Sequence, residues 1–340
     1  MLVFAFALLG CGEQEGATGG PSGQVAKAEA LLQAGDLSGA AVVYAAALAA
    51  APTNVDVVSG AAYMKLLEGN FKAADALLQG VEAAAADRLP EIKMRRALVA
   101  LKSGDLDSVK VHGSAAATAE GRLLAAEVSL ADGDRAAAKV ELNALAAEVG
   151  PVGETAAAYL ALINDKSSLV AGLAEVQALW ALGQREIAAR AVEDLAKAYA
   201  SEHEDGPDQL LLWAGRSVAV RESAIATNLL DAIPVAPQGQ VWRMQATLAM
   251  VDCAEGEAAK CLAGFDRILT ISPVDGYADA RATAALLIAG SDPAAARKLL
   301  EGQAGDSVAR ALASLGEMEA AGTVAADPVF KAQLTPEAGG

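Results

Sequence analysis

The stretch Gly35-Asp36-Leu37-Ser38-Gly39-Ala40-Ala41-Val42-Val43-Tyr44 returns in outline 34 residues later as Gly69-Asn70-Phe71-Lys72-Ala73-Ala74-Asp75-Ala76-Leu77-Leu78. Gly104-Asp105, Gly133-Asp134, Gly183-Gln184, Gly256-Glu257, Gly290 and Gly316-Glu317 continue the series. A fixed period of this length marks stacked supersecondary units. Each position has a physical reason. The glycine closes one helix, where a left-handed residue satisfies terminal carbonyls. The Asp or Asn after it caps the next helix. A small residue follows five positions on, as at Ala40, Ala74, Ala138, Ala188 and Ala321, where two helices pass closely. Nine positions on, Tyr44 and Phe265 fill space toward the next unit, and Pro52 and Pro273 stop the second helix.

Composition agrees with a helical stack. Alanine, the best helix former, makes up about a quarter of the chain. Hydrophobic residues reach 54% and mean hydropathy is +0.32. Middle helices of a stack are buried on several sides, which accommodates that content. The net charge of −17 argues against binding nucleic acid through its phosphates. Three cysteines cannot staple 340 residues, and two histidines leave little room for imidazole-based zinc or triad chemistry.

The pattern resembles the tetratricopeptide repeat, best in Pro21 to Asn54 and in Trp242 to Asp275. The resemblance implies an all-α, right-handed α-solenoid of helix-turn-helix repeats, about seven to eight copies, irregular in the middle. The interval from Gly104 to Gly133 is short, at 29, and that from Gly133 to Gly183 is long, at 50. The excess can hold one extra helix near Glu154 to Ile163. The sixth copy has Val220-Arg221 where glycine is expected, before Ala224, Leu229 and Ala232. The expected organisation is a signal peptide over 1–10, a lipidated cysteine and tether over 11–22 and a first array over 23–150. An irregular insert over 151–167, a second array over 168–325 and a tail over 326–340 follow.

The run Leu8-Leu9-Gly10-Cys11 resembles the lipobox of bacterial lipoproteins, although no Lys or Arg precedes the apolar stretch. The resemblance implies cleavage before Cys11 and anchoring by acyl chains on it. Gly12, standing where an Asp would signal inner-membrane retention, favours an outer-membrane lipoprotein facing the periplasm. Gly12 to Ser22 is rich in Gly, Ser and Pro and reads as a flexible tether.

In the repeat frame Cys253 and Cys261 flank the turn at Glu255-Gly256, so they either bridge the hairpin or remain two buried thiols. His203 lies in Ser-Glu-His-Glu-Asp-Gly-Pro-Asp, read as a solvated acidic loop rather than a weak cation site. No metal or cofactor is expected. Arg221-Glu222-Ser223 faintly resembles the Glu-Ser segment of lytic transglycosylases, which would make Glu222 a general acid. That family's Gly-Leu-Met-Gln segment does not follow, and a non-enzymatic chain is the expectation.

Tetratricopeptide arrays take partner segments in a groove lined by the first helix of each repeat. Projection onto that groove selects Tyr63, Met94, Gln177, Trp180, Arg243 and Met250. Trp180 and Trp242 are candidate anchors. Lys93, Arg95 and Arg96 form the densest basic cluster, read as a solvated helix face. The expected function is a scaffold of the cell envelope with protein partners of unknown identity, a membrane link through lipid alone and no nucleic acid. A cytoplasmic interaction module is the alternative if the lipobox is accidental.

Overall fold

The computed structural model describes residues 20–268 and 276–334. The expected signal peptide, Cys11, most of the tether and Pro273 lie outside them. Every regular element among the described residues is helical. The chain divides into two compact units between Ser129 and Leu130, not within the 151–167 stretch.

The first unit contains α1 (Pro21–Gln33), α2 (Leu37–Ala50), α3 (Val55–Leu67), α4 (Phe71–Val81), α5 (Leu89–Ser103) and α6 (Leu106–Ala116). Helix α7 (Ala119–Ala131) runs through the boundary. Consecutive helices pair as hairpins, α1 with α2, α3 with α4 and α5 with α6, and α1 also packs on α3. Helix α1 begins at Pro21, inside the stretch read as tether, because proline suits the first helical position. Its core gathers Val58, Ala62, Leu78, Val81, Ile92 and Val99 from α3, α4 and α5.

The second unit opens with α8 (Arg135–Leu145), α9 (Pro151–Ile163), α10 (Ser168–Ala181), α11 (Arg185–Ala191) and α12 (Glu193–Glu202). The extra helix expected near Glu154 to Ile163 is α9, which takes up most of the 151–167 stretch. Pro151 starts it, and Ala156, Tyr159 and Leu162 bury one face. Hairpins then follow in series: α13 (Gly206–Ala219) with α14 (Ser223–Asp231), α15 (Val241–Ala254) with α16 (Ala258–Ile268), α17 (Tyr277–Ile288) with α18 (Pro293–Leu300) and α19 (Asp306–Ser314) with α20 (Met318–Val324). The first helices α13, α15, α17 and α19 pack in succession. This is the stacking of an α-solenoid within the unit. The expected tail holds one more helix, α21 (Pro328–Leu334), packed on α20.

The turns explain the period. Gly35, Gly69, Gly104, Gly133, Gly183, Gly256 and Gly316 all take positive φ. Asp36, Asn70, Asp105 and Asp134 then accept backbone N–H bonds from the residue three positions on, at 2.7 to 3.2 Å. The longer Gln184, Glu222 and Glu317 make no such cap. Gly290 departs from expectation: it lacks positive φ, and Asp292 caps α18 instead.

The sixth copy needs a shifted register. Arg221 itself takes the left-handed slot, at φ 67°. Five positions on is Ala226, fully buried, whereas Ala224 is exposed. The missing glycine had hidden the frame.

Candidate partner-binding site

Helices α10 and α13 bring together an aromatic and cationic cluster. Trp180 of α10 meets Trp213 of α13 edge-on, ring centroids 5.8 Å apart. The Arg216 guanidinium stands 4.5 Å from the Trp213 centroid and 5.1 Å from that of Trp180. Arg185 adds a second cation 5.7 Å from the Trp180 centroid. Burial pushes the Arg216 pKa down, with Tyr159 opposing. Among the described residues Arg216 has no carboxylate partner, so two indole faces supply its electrostatic stabilisation. Trp213 is fully buried and Trp180 half-buried, so the pair is anchored on one side and open on the other. The sequence reading selected Trp180 but missed Trp213 and Arg216, which sit three residues apart on one helix face.

Beside this cluster lies a cavity of about 330 Å³. Leu162, Val170 and Leu173 give it an apolar floor, and Gln177, one of the residues projected onto the groove, lines it. Tyr199 and His203 stack at 4.0 Å, and the Tyr199 hydroxyl donates to Asp205 Oδ1 at 2.9 Å. Burial first, then Asp205, pushes the Tyr199 pKa up to about 12, so it stays a donor at neutral pH. His203 Nε2 stands 3.5 Å from Asp165 Oδ2. The stretch read as a solvated loop is therefore partly packed: His203 is half-buried because its ring covers Tyr199. Asp165, Glu202 and His203 present potential ligand atoms within 4.8 Å of one another.

The other projected residues are dispersed. In the first unit, Tyr63 on α3 and Met94 on α5 are half-buried. In the second, Arg243 is exposed, its guanidinium 5.4 Å from the Trp242 centroid. Met250 is only 7% exposed and belongs to the core, offering a partner almost no surface. Trp242, at 8%, is likewise mostly internal.

Residues 31–101 match the family model of the tetratricopeptide repeat. The matched residues include the capped turns at Gly35 and Gly69. The chain is tetratricopeptide-like. A tetratricopeptide repeat protein from Parabacteroides merdae ATCC 43184 is 12% identical, over 79% of this chain and 97% of that one, with a TM-score of 0.39. The P58(IPK) TPR domain is 16% identical, over 92% and 97%, with a TM-score of 0.26. A search of curated proteins returns no match.

In the repeat frame, the basic cluster on α5 is not a solvated face. Arg96 donates to Asp75 Oδ1 and Glu82 Oε1, both at 2.6 Å, and Lys93 reaches Glu82 at 2.7 Å. Arg95 bonds Glu91 at 2.8 Å. Arg96 is 8% exposed, and its partners come from α4 and the residue that ends it, so Arg96 and Lys93 tie α5 to the helix before it, whereas Arg95 pairs within α5. His112 on α6 is half-buried, and burial, then Arg96, lowers its pKa. Glu222 starts α14 and takes a 2.6 Å contact from Arg190 Nε. It does not line the cavity beside α10. Cys253 and Cys261 are joined as a disulfide across the turn between α15 and α16, Cα atoms 5.2 Å apart. Among the described residues no helix is long and apolar enough to cross a membrane.

Proposed function

We propose that this chain is a non-enzymatic interaction scaffold of the bacterial cell envelope, held at the outer membrane by lipid on Cys11 and reaching into the periplasm. The observation that carries the interaction reading is the tandem of hairpins bearing tetratricopeptide turns, matched over residues 31–101. Proteins built this way present extended surfaces to other polypeptides. The half-open Trp180, backed by Trp213 and Arg216, is the anchor we assign to the second unit, since Trp and Arg are enriched among interface hot spots. The envelope address is supported by Leu8-Leu9-Gly10-Cys11 and by a disulfide suited to an oxidising compartment.

Crosslinking in intact cells, followed by mass spectrometry of what co-purifies, tests this reading, with Cys11→Ala as control. Envelope partners captured with the native chain and lost with Cys11→Ala support an anchored scaffold. The same cytoplasmic partners in both samples support the unanchored module instead. Trp180→Ala with Arg216→Ala separates the anchor from the address: it should lose partners while labelling of Cys11 by a fatty-acid analogue persists.

A further inference from the structure

We propose that the cavity bounded by α9, α10, α12 and α13 is a binding site for an aliphatic primary ammonium group, carried by a lysine side chain or a free polyamine. The proposal does not depend on the scaffold reading.

The lining decides the sign of the ligand. Asp165, Asp205, Gln177, Gln209, Tyr199 and His203 supply its polar atoms, and no lysine or arginine lines it. The Asp165 side chain is 19% exposed, yet among the described residues no lysine or arginine pairs with it. Its Oδ1 accepts the Ser167 N–H at 2.8 Å, which leaves lone pairs on both oxygens. A partly buried carboxylate is stabilised by a cation close to it. His203 does not fill that place, because a 3.5 Å contact is too long for a good hydrogen bond and its Nε2 has no hydrogen-bond partner. Gln209 Oε1 is a buried acceptor without a donor. An ammonium carries three donors and no acceptor, which suits a lining that offers Asp165, Asp205 and Gln209 oxygens and no cation.

Size and floor decide the rest of the ligand. A volume of about 330 Å³ is at the lower end for small-molecule sites and far exceeds one metal ion. Leu162, Val170 and Leu173 form a surface on which methylenes can lie while the charged head meets the polar rim. Glu202, which a divalent ion would need as its third ligand, is exposed and does not line the cavity.

Calorimetric titration of the purified full chain with cadaverine and with Nα-acetyl-lysine amide tests the assignment. n-Pentanol controls for the apolar floor, and zinc and calcium are titrated separately. Two variants are used. Asp165→Asn keeps an acceptor for Ser167 but removes the charge, and Ala161→Phe fills the cavity from an exposed position. Saturable binding of an amine, absent with n-pentanol and weakened about tenfold or more by either variant, supports the site. Binding of cadaverine alone assigns a free polyamine, and binding of the lysine derivative assigns a partner side chain. Failure of both amines to saturate, equal binding of n-pentanol, or amine binding unchanged in Ala161→Phe overturns the proposal. Binding of zinc or calcium with neither amine also overturns it. Unchanged helical circular dichroism shows that each variant is folded.

Discussion

The Tyr44 ring lies across the backbone of Gly60. A Cβ built on Gly60 would stand 1.9 Å from Tyr44 Cε1. Tyr44 is 1% exposed and cannot swing into solvent, so α2 and α3 are held at a separation only glycine permits. Gly60→Ala should therefore destabilise the first unit by about 2 kcal/mol through overpacking, despite alanine's better helix propensity. Urea unfolding would show it as a lower midpoint. Tyr44→Leu in the same chain should recover part of the loss, which a propensity effect would not do.

The same tyrosine has a buried hydroxyl with no hydrogen-bond partner. Tyr44→Phe should be neutral or slightly stabilising at neutral pH, because no hydrogen bond is lost. Burial first, then Glu29, pushes the Tyr44 pKa up to about 12. Its neutral form is thus favoured in the fold. The contribution is complete below the unfolded value near pH 10 and is lost as pH rises toward about 12, on the order of 2–3 kcal/mol. Tyr199 and Tyr277 are shifted in the same direction. Urea midpoints should fall through this range, and Tyr44→Phe should flatten the fall.

Arg96 is the hub of the first unit's ion pairs. Removing it takes the Arg96 bonds from Asp75 and leaves Glu82 with Lys93, and Arg96→Met should destabilise by about 2 kcal/mol, less than a fully buried pair because its partners are partly exposed. Burial opposes ionisation of Glu82 and Glu91, but hydrogen bonds from Lys93 and Arg96, and from Arg88 and Arg95, outweigh it and hold both carboxyls below their ordinary range. That stabilisation is present above the unfolded carboxylate pKa and is lost as pH falls through the lower folded values. Acid titration followed by circular dichroism should show Arg96→Met losing structure at a higher pH than the native chain.

What could be read from residues was local. Asp36, Asn70, Asp105 and Asp134 cap the helix they begin, and a cap needs only the next three residues. The helical class followed from alanine and from the glycine period. The pairing of Lys93 and Arg96 was not legible in the same way, whereas Arg95 meets Glu91 only four residues back on its own helix. Asp75 and Glu82 lie on another part of the hairpin series, and a linear charge run does not reveal what faces it. The cavity was hidden for the same reason, since Asp165 and His203 meet only after α10, α11 and α12 have turned back. Gln177 was selected for the right helix but for a groove rather than a cavity.

Arg221 shows how one absent glycine misled the frame. It occupies the left-handed slot that glycine fills in seven other turns, at a steric cost of about 1 kcal/mol. Its side chain returns something, since Nη2 donates to the Leu286 carbonyl at 3.1 Å from an exposed position. Arg221→Gly should relieve the strain, lose that bond and gain unfolded-chain entropy. These terms nearly cancel, and the net effect should lie within about 1 kcal/mol of zero. Arg221→Ala, which keeps a Cβ and loses the bond, should be the less stable of the two. Thermal unfolding of both variants checks the order, and the reverse order would place the importance of Arg221 in its contact with Leu286.

The disulfide makes a prediction that reaches from stability to address. Cys253 and Cys261 are separated by 8 positions, and closing so short a loop in the unfolded chain should stabilise by about 2 kcal/mol. The bond joins the first and second helices of one hairpin, so its loss should loosen α15 and α16 before their neighbours. Cys253→Ser with Cys261→Ser should match the effect of reductant on the native chain, and reductant should do nothing further to the double variant. Hydrogen exchange would place the loss in that hairpin. Thiol labelling of denatured, unreduced protein then reports on the third cysteine. Protein from the native envelope should label nowhere if Cys11 carries lipid, whereas protein made without export should label at all three positions.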